Sequence, residues 1–305
     1  MRKITIGIPR ALDYYRDYIL WKSFFKELDI DIILSEPTNR LTVLNGSKYL
    51  VDEACLSLKV FMGHVDYLKD KCDYILVPRI NCVKKRQKLC TNFTALYDLC
   101  ANVFPSVKFL NYNVDYDINI SEKKAFIKMG KSLGLKKDRI INAYDKAVIE
   151  SNKYYDNKIK KFKSNLSSDK LKILIVGHPY NINDNYISGS IINYLKKEGC
   201  TVLLSDIYNK NYNEEDANKL SEKLYWTYNR ELFSVISKYK SKVDGIVLVS
   251  TFPCGPDSLC NELIIRKIKD IPMISLIIDS LSEDAGLITR LESFLDIIKT
   301  RKDNF

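Results

Sequence analysis

The chain has 305 residues, 46% of them hydrophobic and 28% charged, with a formal net charge of +10. That length suits two domains of roughly 150 residues, and the composition is that of a folded protein rather than a disordered one. The lysines are spread along helices and loops beside Asn and Ile without a reading element, which argues against nucleic acid as a partner.

MRKITIGIPRAL opens charged and enters a strand at once, with no apolar stretch long enough for a signal peptide or a membrane span. A cytoplasmic location is expected, with no membrane partner. In that reducing setting eight cysteines, none in a close CxxC pair, are expected as thiols or metal ligands rather than disulfides.

KITIGIP is a strand, DYILWKSFFKELD has helical spacing, DIDIILSE returns to strand, ACLSLKVFMGHVDYLKD is helical and DYILVP is a third strand. VKFLNYNV adds a fourth. A lysine-rich helical stretch from about Ser121 to Lys163 follows, interrupted near Gly134 and ending in the linker candidate SNLSSDK. The alternation then restarts: LKILIVGHP, TVLLSD, VDGIVLVS and PMISLIID as strands. The helices between and after them are YISGSIINYLKKEG, one continuous helical stretch over EEDANKLSEKLYWTYNRELFSVISKYK, LCNELIIRKIKD and EDAGLITRLESFLDIIKTR. This predicts an α/β protein of two Rossmann-like, doubly wound domains with mostly parallel sheets and a cleft between them. The expected divisions are residues 1–120, a helical connection over 121–168, and 169–305.

In open α/β sheets ligands collect at the carboxyl ends of strands, so loops after strands hold the candidates. Cys254 follows GIVLVSTFP, with Asp257 or Ser258 expected to cap the next helix, whose start favours thiolate over thiol. Cys55 in VDEACLSLKV falls near a helix start, and Cys90 follows the loop after DYILVPRI. Cys72, Cys100 and Cys200 are expected as buried small hydrophobes, and Cys260 as a packing residue. Cys82 shares a loop with Cys90 and could substitute for it. Three loop-placed thiols suit a 4Fe-4S cluster with one iron open to an exogenous ligand, and zinc is the rival.

Other residues fit the cleft. GHPYNINDNYISGS offers Tyr180, Asn181, Asn183 and backbone amides to an anion or carbonyl, though it is no GxGxxG fingerprint. VKKRQKLC crowds Lys84, Lys85, Arg86 and Lys88 before Cys90. Of these, Lys85 and Lys88 are candidate contacts for a reductase or the phosphates of a CoA ester. His64 is read as a packing histidine, and no catalytic residue is assigned.

The phrases IGIPRALDYYRDYILWKSFF, LSEPTNR, VDEACLSLKVFMGHVDYL, DYILVPR, GHPYNIND, LYWTYNREL, PCGPDS and AGLITRLESFLD, in that order, resemble the 2-hydroxyacyl-CoA dehydratase component family. The closer resemblance is to its acyl-CoA dehydratase activase-related branch. The resemblance implies an oxygen-sensitive iron-sulfur protein, with a 4Fe-4S or double-cubane cluster on Cys55, Cys90 and Cys254. It implies an ATP-dependent activase or reductase as partner, an acyl-CoA or other small molecule as substrate, and leaves room for a homo- or hetero-dimer. Low-potential electron transfer, radical dehydration or cluster-dependent reduction would be the chemistry. Two positions depart from the family pattern: Phe252, Pro253, Cys254 and Gly255 stand for Phe-Gly-Cys-Gly, and Asp279, Ser280 and Leu281 for Asp-Glu-His, which removes a carboxylate and an imidazole. The alternative is a cluster-free module that keeps the fold and binds a small anion or acts as a scaffold.

Overall fold

The computed structural model describes residues 3–207, 212–279 and 284–303. The chain divides into two compact units, Met1–Tyr154 with Tyr225–Thr227, and Tyr155–Leu224 with Tyr228–Phe305.

In the first unit, β1 (Thr5–Ile8), α1 (Tyr14–Glu27), β2 (Asp31–Leu34), α2 (Arg40–Ser47), α3 (Leu56–Leu68) and β3 (Tyr74–Lys84) come first. They are followed by β4 (Gln87–Lys88), α4 (Thr91–Val103), β5 (Phe109–Asp115) and α5 (Glu122–Ser132). β1 pairs in parallel with β2 on one side and β3 on the other, and β5 extends the parallel set beyond β3. β4 folds back antiparallel on the far end of β3. The apolar spacing of α1 aims Leu20, Trp21, Phe24 and Phe25 inward, all buried. Trp21 meets Tyr112 edge-on at 5.8 Å between ring centroids, and Phe24 meets Phe126 at 4.6 Å, so one aromatic cluster joins α1, β5 and α5. Gly134, at φ +77°, ends α5 in the left-handed turn that glycine adopts without steric cost. α6 (Lys137–Leu166) then runs on past the boundary between the units, taking the first residues of SNLSSDK into the helix.

The second unit contains β6 (Lys172–Val176), α7 (Pro179–Ile182), α8 (Asn185–Lys197), β7 (Thr201–Leu204), α9 (Glu214–Asn218) and α10 (Thr227–Tyr239). β8 (Gly245–Thr251), α11 (Gly255–Lys267), β9 (Met273–Ile278) and α12 (Asp284–Asp303) complete it. Its strands lie in the order β7-β6-β8-β9, all parallel. β8 is buried along its whole length, as its unbroken apolar run requires for a strand covered on both faces. Both units therefore have the Rossmann-like, doubly wound organisation expected. In each, the order turns about the first strand, between β1 and β3 and between β6 and β8.

Three local expectations change. α2 occupies a stretch with no assigned element. The continuous helix expected over 214–240 is broken between Asn218 and Thr227. There the exposed edge of β4 captures the backbone: Lys88 N donates to Tyr225 O at 2.9 Å and bridges Trp226, a tertiary hydrogen bond overriding helical periodicity. The basic run at 84–88 is not an open loop but a hairpin, turned by Arg86 at φ +65°. Among the described residues no helix is long and apolar enough to cross a membrane.

Candidate functional site

Each of Cys55, Cys90 and Cys254 is the N-cap residue of a helix, of α3, α4 and α11 respectively, in extended backbone conformation. All three are half-buried. Cys254 follows β8 directly, at the carboxyl edge of its parallel sheet, whereas α2 lies between β2 and Cys55 and the antiparallel β4 precedes Cys90. The first-turn amides of an α-helix carry partial positive charge and lack intrahelical acceptors. A sulfur at the N-cap is therefore set among donors. In the first unit Asn92, two residues after Cys90 in α4, has its Nδ2 3.5 Å from Cys55 Sγ.

Of the other cysteines, Cys72 is also half-buried, where a buried residue was expected. Cys82, Cys100, Cys200 and Cys260 are buried. Burial pushes the thiols of Cys100 and Cys260 up to about 12, with Asp257 adding to the effect at Cys260. Burial also raises Cys72 and Cys200. Cys72 Sγ donates to Leu68 O at 3.4 Å against Gly7. None of the eight is in a disulfide.

Around Cys254 the second unit builds a buried polar network. Asp257, the third residue of α11, accepts from His178 Nε2 at 2.8 Å and Asn229 Nδ2 at 2.8 Å, and the Cys254 thiol hydrogen-bonds the same carboxyl. Burial alone would raise this carboxyl; His178, Asn229 and Cys254 together hold it below its ordinary 3.8. It is thus a carboxylate, which fixes the proton of His178 on Nε2. His178 Nδ1 is buried and has no hydrogen-bond partner among the described residues, and its ring stacks on Tyr180 at 5.1 Å. The expected helix-start environment of Cys254 is present, but Asp257 supplies an opposing negative charge next to the sulfur instead of capping the helix. His178 lies inside the quoted stretch GHPYN and Asp257 was expected only as a helix cap; their meeting with Asn229 carried no sequence signal, because His178 and Asn229 reach Asp257 from 79 and 28 residues away.

Some of the remaining candidates are engaged within the chain. Asn183 Nδ2 donates to Pro179 O at 2.9 Å and to Asp206 Oδ2 at 2.6 Å. The amides of Asn181, Ile182 and Asn183 bond back to His178 and Pro179 carbonyls. Asn181 is buried, its carbonyl accepting from Ser188 Oγ at 2.6 Å. Its side-chain Nδ2 is buried with no hydrogen-bond partner among the described residues, so it is a donor this turn keeps unspent. Lys85 is exposed at the hairpin tip, whereas Lys88 pairs with Asp117 at 2.6 Å. His64 is buried beside Thr38 Oγ1 at 3.0 Å. Burial, with Arg10 nearby, drives it down from 6.5 to about 3, so it is neutral. Of the Asp279, Ser280 and Leu281 departure, Ser280 and Leu281 lie outside the described residues.

Cys82, Asp115 and Asp117 have ligand atoms within 4.8 Å of one another, but each is committed to closing the hairpin. Cys82 Sγ meets Lys84 O at 2.7 Å, Asn81 Nδ2 donates to Asp115 Oδ2 at 2.7 Å, and the Arg86 amide donates to Asp117 Oδ1 at 3.0 Å. Lys88 and that amide hold Asp117 down at about 2. Cys82 lies in β3, not in a loop with Cys90.

A family model described as CoA enzyme activase uncharacterised domain (DUF2229) matches residues 5–207. The matched span includes Cys55, Cys90 and His178; Cys254 lies beyond it. No curated protein matches the chain.

Proposed function

Because the chain belongs to the CoA enzyme activase uncharacterised domain family, we propose that it is an iron-sulfur protein of the 2-hydroxyacyl-CoA dehydratase type. Cys55 and Cys90 of the first unit and Cys254 of the second are its cluster ligands. An ATP-dependent reductase and an acyl-CoA or other small-molecule substrate are its partners. The observation that carries this reading is the N-cap position shared by three half-buried cysteines. Thiolate is the ligand form of cysteine, and a helix N-terminus stabilises it over the thiol. Three such soft donors fit an iron-sulfur cluster. When bound, a 4Fe-4S or double-cubane cluster supplies one-electron transfer at low potential.

The chain's own residues would hold and tune that group. The first-turn amides of α3, α4 and α11 compensate the charge of the sulfurs, and Asn92 adds a donor at Cys55. Asp257, braced by His178 and Asn229, orients Cys254. Protein purified and reconstituted without oxygen is expected to be brown, with broad absorption near about 400 nm and roughly four or more irons and sulfides per chain. Colourless, iron-free protein after reconstitution would contradict the reading, and one zinc per chain with no iron would replace it with a thiolate zinc site.

A further inference from the structure

Arg10 lies two residues beyond β1, at the carboxyl edge of the first unit's sheet, beside the turn of strand order between β1 and β3. Ligands of open α/β sheets bind at such a point. In a chain of net charge +10 an exposed cation without a counter-ion is ordinary. Arg10 is different, because it is half-buried and its Nε is shut off from solvent with no hydrogen-bond partner. Among the described residues its guanidinium makes no ion pair and no hydrogen bond; only its backbone amide is used, donating to Ser35 Oγ at 2.9 Å. Arg230 in the second unit illustrates the usual solution. Its guanidinium is spent on Tyr212 Oη and the carbonyls of Ser221, Glu222 and Leu224.

Tyr14, Tyr18 and His64 are among the described groups that feel the charge of Arg10. The rings of Tyr14 and Tyr18 are 4.7 Å apart. Burial keeps both phenols protonated, so both can donate a hydrogen bond. His64 is neutral and supplies no counter-charge. A partly desolvated guanidinium without an anion is costly, and its planar fork matches an oxyanion bidentately.

We propose that Arg10 binds the oxyanion of a small-molecule ligand, a phosphate or a carboxylate, at the carboxyl edge of the first unit. This site stands whether or not the chain holds a cluster, so its test is run on metal-free protein.

The full chain is titrated with inorganic phosphate and, separately, acetate at constant ionic strength against chloride, following the unfolding midpoint. A saturable rise with at least one anion is expected, and the anion with the tighter response identifies the ligand group. Arg10→Gln should weaken that binding about tenfold to a hundredfold, the loss of one charge-assisted contact, and Arg10→Lys should weaken it less. A measurement without variants stands beside these: modification of Arg10 by phenylglyoxal, read by peptide mass spectrometry, should be slowed severalfold by the saturating anion and not by chloride. The proposal is overturned by wild-type protein that responds to neither anion, by unchanged affinity in a folded Arg10→Gln variant, or by a modification rate indifferent to phosphate and acetate.

Discussion

His64 illustrates how far burial alone moves a side chain. Its imidazole takes a proton only near pH 3 in the folded chain against 6.5 ordinarily, so the unfolded chain binds more protons throughout that interval. Stability contributed by neutral His64 is complete above about pH 6.5 and is lost as pH falls toward 3. Between about pH 7 and about pH 4.5 this amounts to roughly 2–3 kcal/mol. Urea unfolding of wild type and His64→Gln, which can keep the bond to Thr38, should show the wild type losing more stability over that range. Equal losses would mean that His64 is not buried neutral. Asp257 has the opposite chemistry and the same sign: its depressed carboxyl stabilises the fold above the ordinary aspartate range and ceases to do so in stronger acid. Neither behaviour is visible in the residue's identity. A histidine in FMGHVDYL and an aspartate in CGPDS become special only through what surrounds them.

At the scale of elements, α3 is fixed by two glycines. A Cβ on Gly46 of α2 would lie 1.8 Å from Lys59 O, and one on Gly63 of α3 would lie 1.9 Å from Thr42 O. The two helices cross with backbone against backbone, and this crossing sets where α3 begins and therefore where Cys55 sits. Gly63→Ala should destabilise the fold by about 1–3 kcal/mol or more in a denaturant titration, through overpacking that no side chain can relieve; a neutral result would rule out the close crossing. In the hairpin, Lys88→Glu should lower the unfolding midpoint, because it faces Asp117. Lys85→Glu at the exposed tip should leave the midpoint unchanged and alter only the salt dependence of association with an acidic or phosphorylated partner. Equal midpoints for both variants would show that the pair does not lock the hairpin. The strands were legible because TIGI, YILVP, KILIV and GIVLV are apolar runs bounded by turn residues. α2 was not, since RLTVLNGS is short and half-exposed, and the break before Thr227 was not, since its cause is the backbone of β4 far away in sequence. Of the candidate site, the helix start at Cys254 could be read from a strand end, and those at Cys55 and Cys90 from the helical stretches that follow them. The bracing of Asp257 by His178 and Asn229 could not, nor could the lack, among the described residues, of a counter-ion for Arg10, which sits in the quoted phrase IGIPRAL.

Across the whole molecule, the family match covers all of the first unit's strands together with β6 and β7, and stops short of β8 and Cys254. The proposal that Cys55, Cys90 and Cys254 are the ligands therefore rests on the common N-cap chemistry of the three cysteines. The most direct measurement is the iron and sulfide content of anaerobically reconstituted wild type beside Cys55→Ser, Cys90→Ser, Cys254→Ser and Cys260→Ser, each checked for native circular dichroism. Serine is a poor substitute for thiolate toward iron, so the first three variants, drawn from both units, should each lose or destabilise the cluster. Cys260→Ser should keep its iron and lose only stability. Full iron content in Cys254→Ser, or in both Cys55→Ser and Cys90→Ser, would contradict the assignment of the three N-cap cysteines as the ligands.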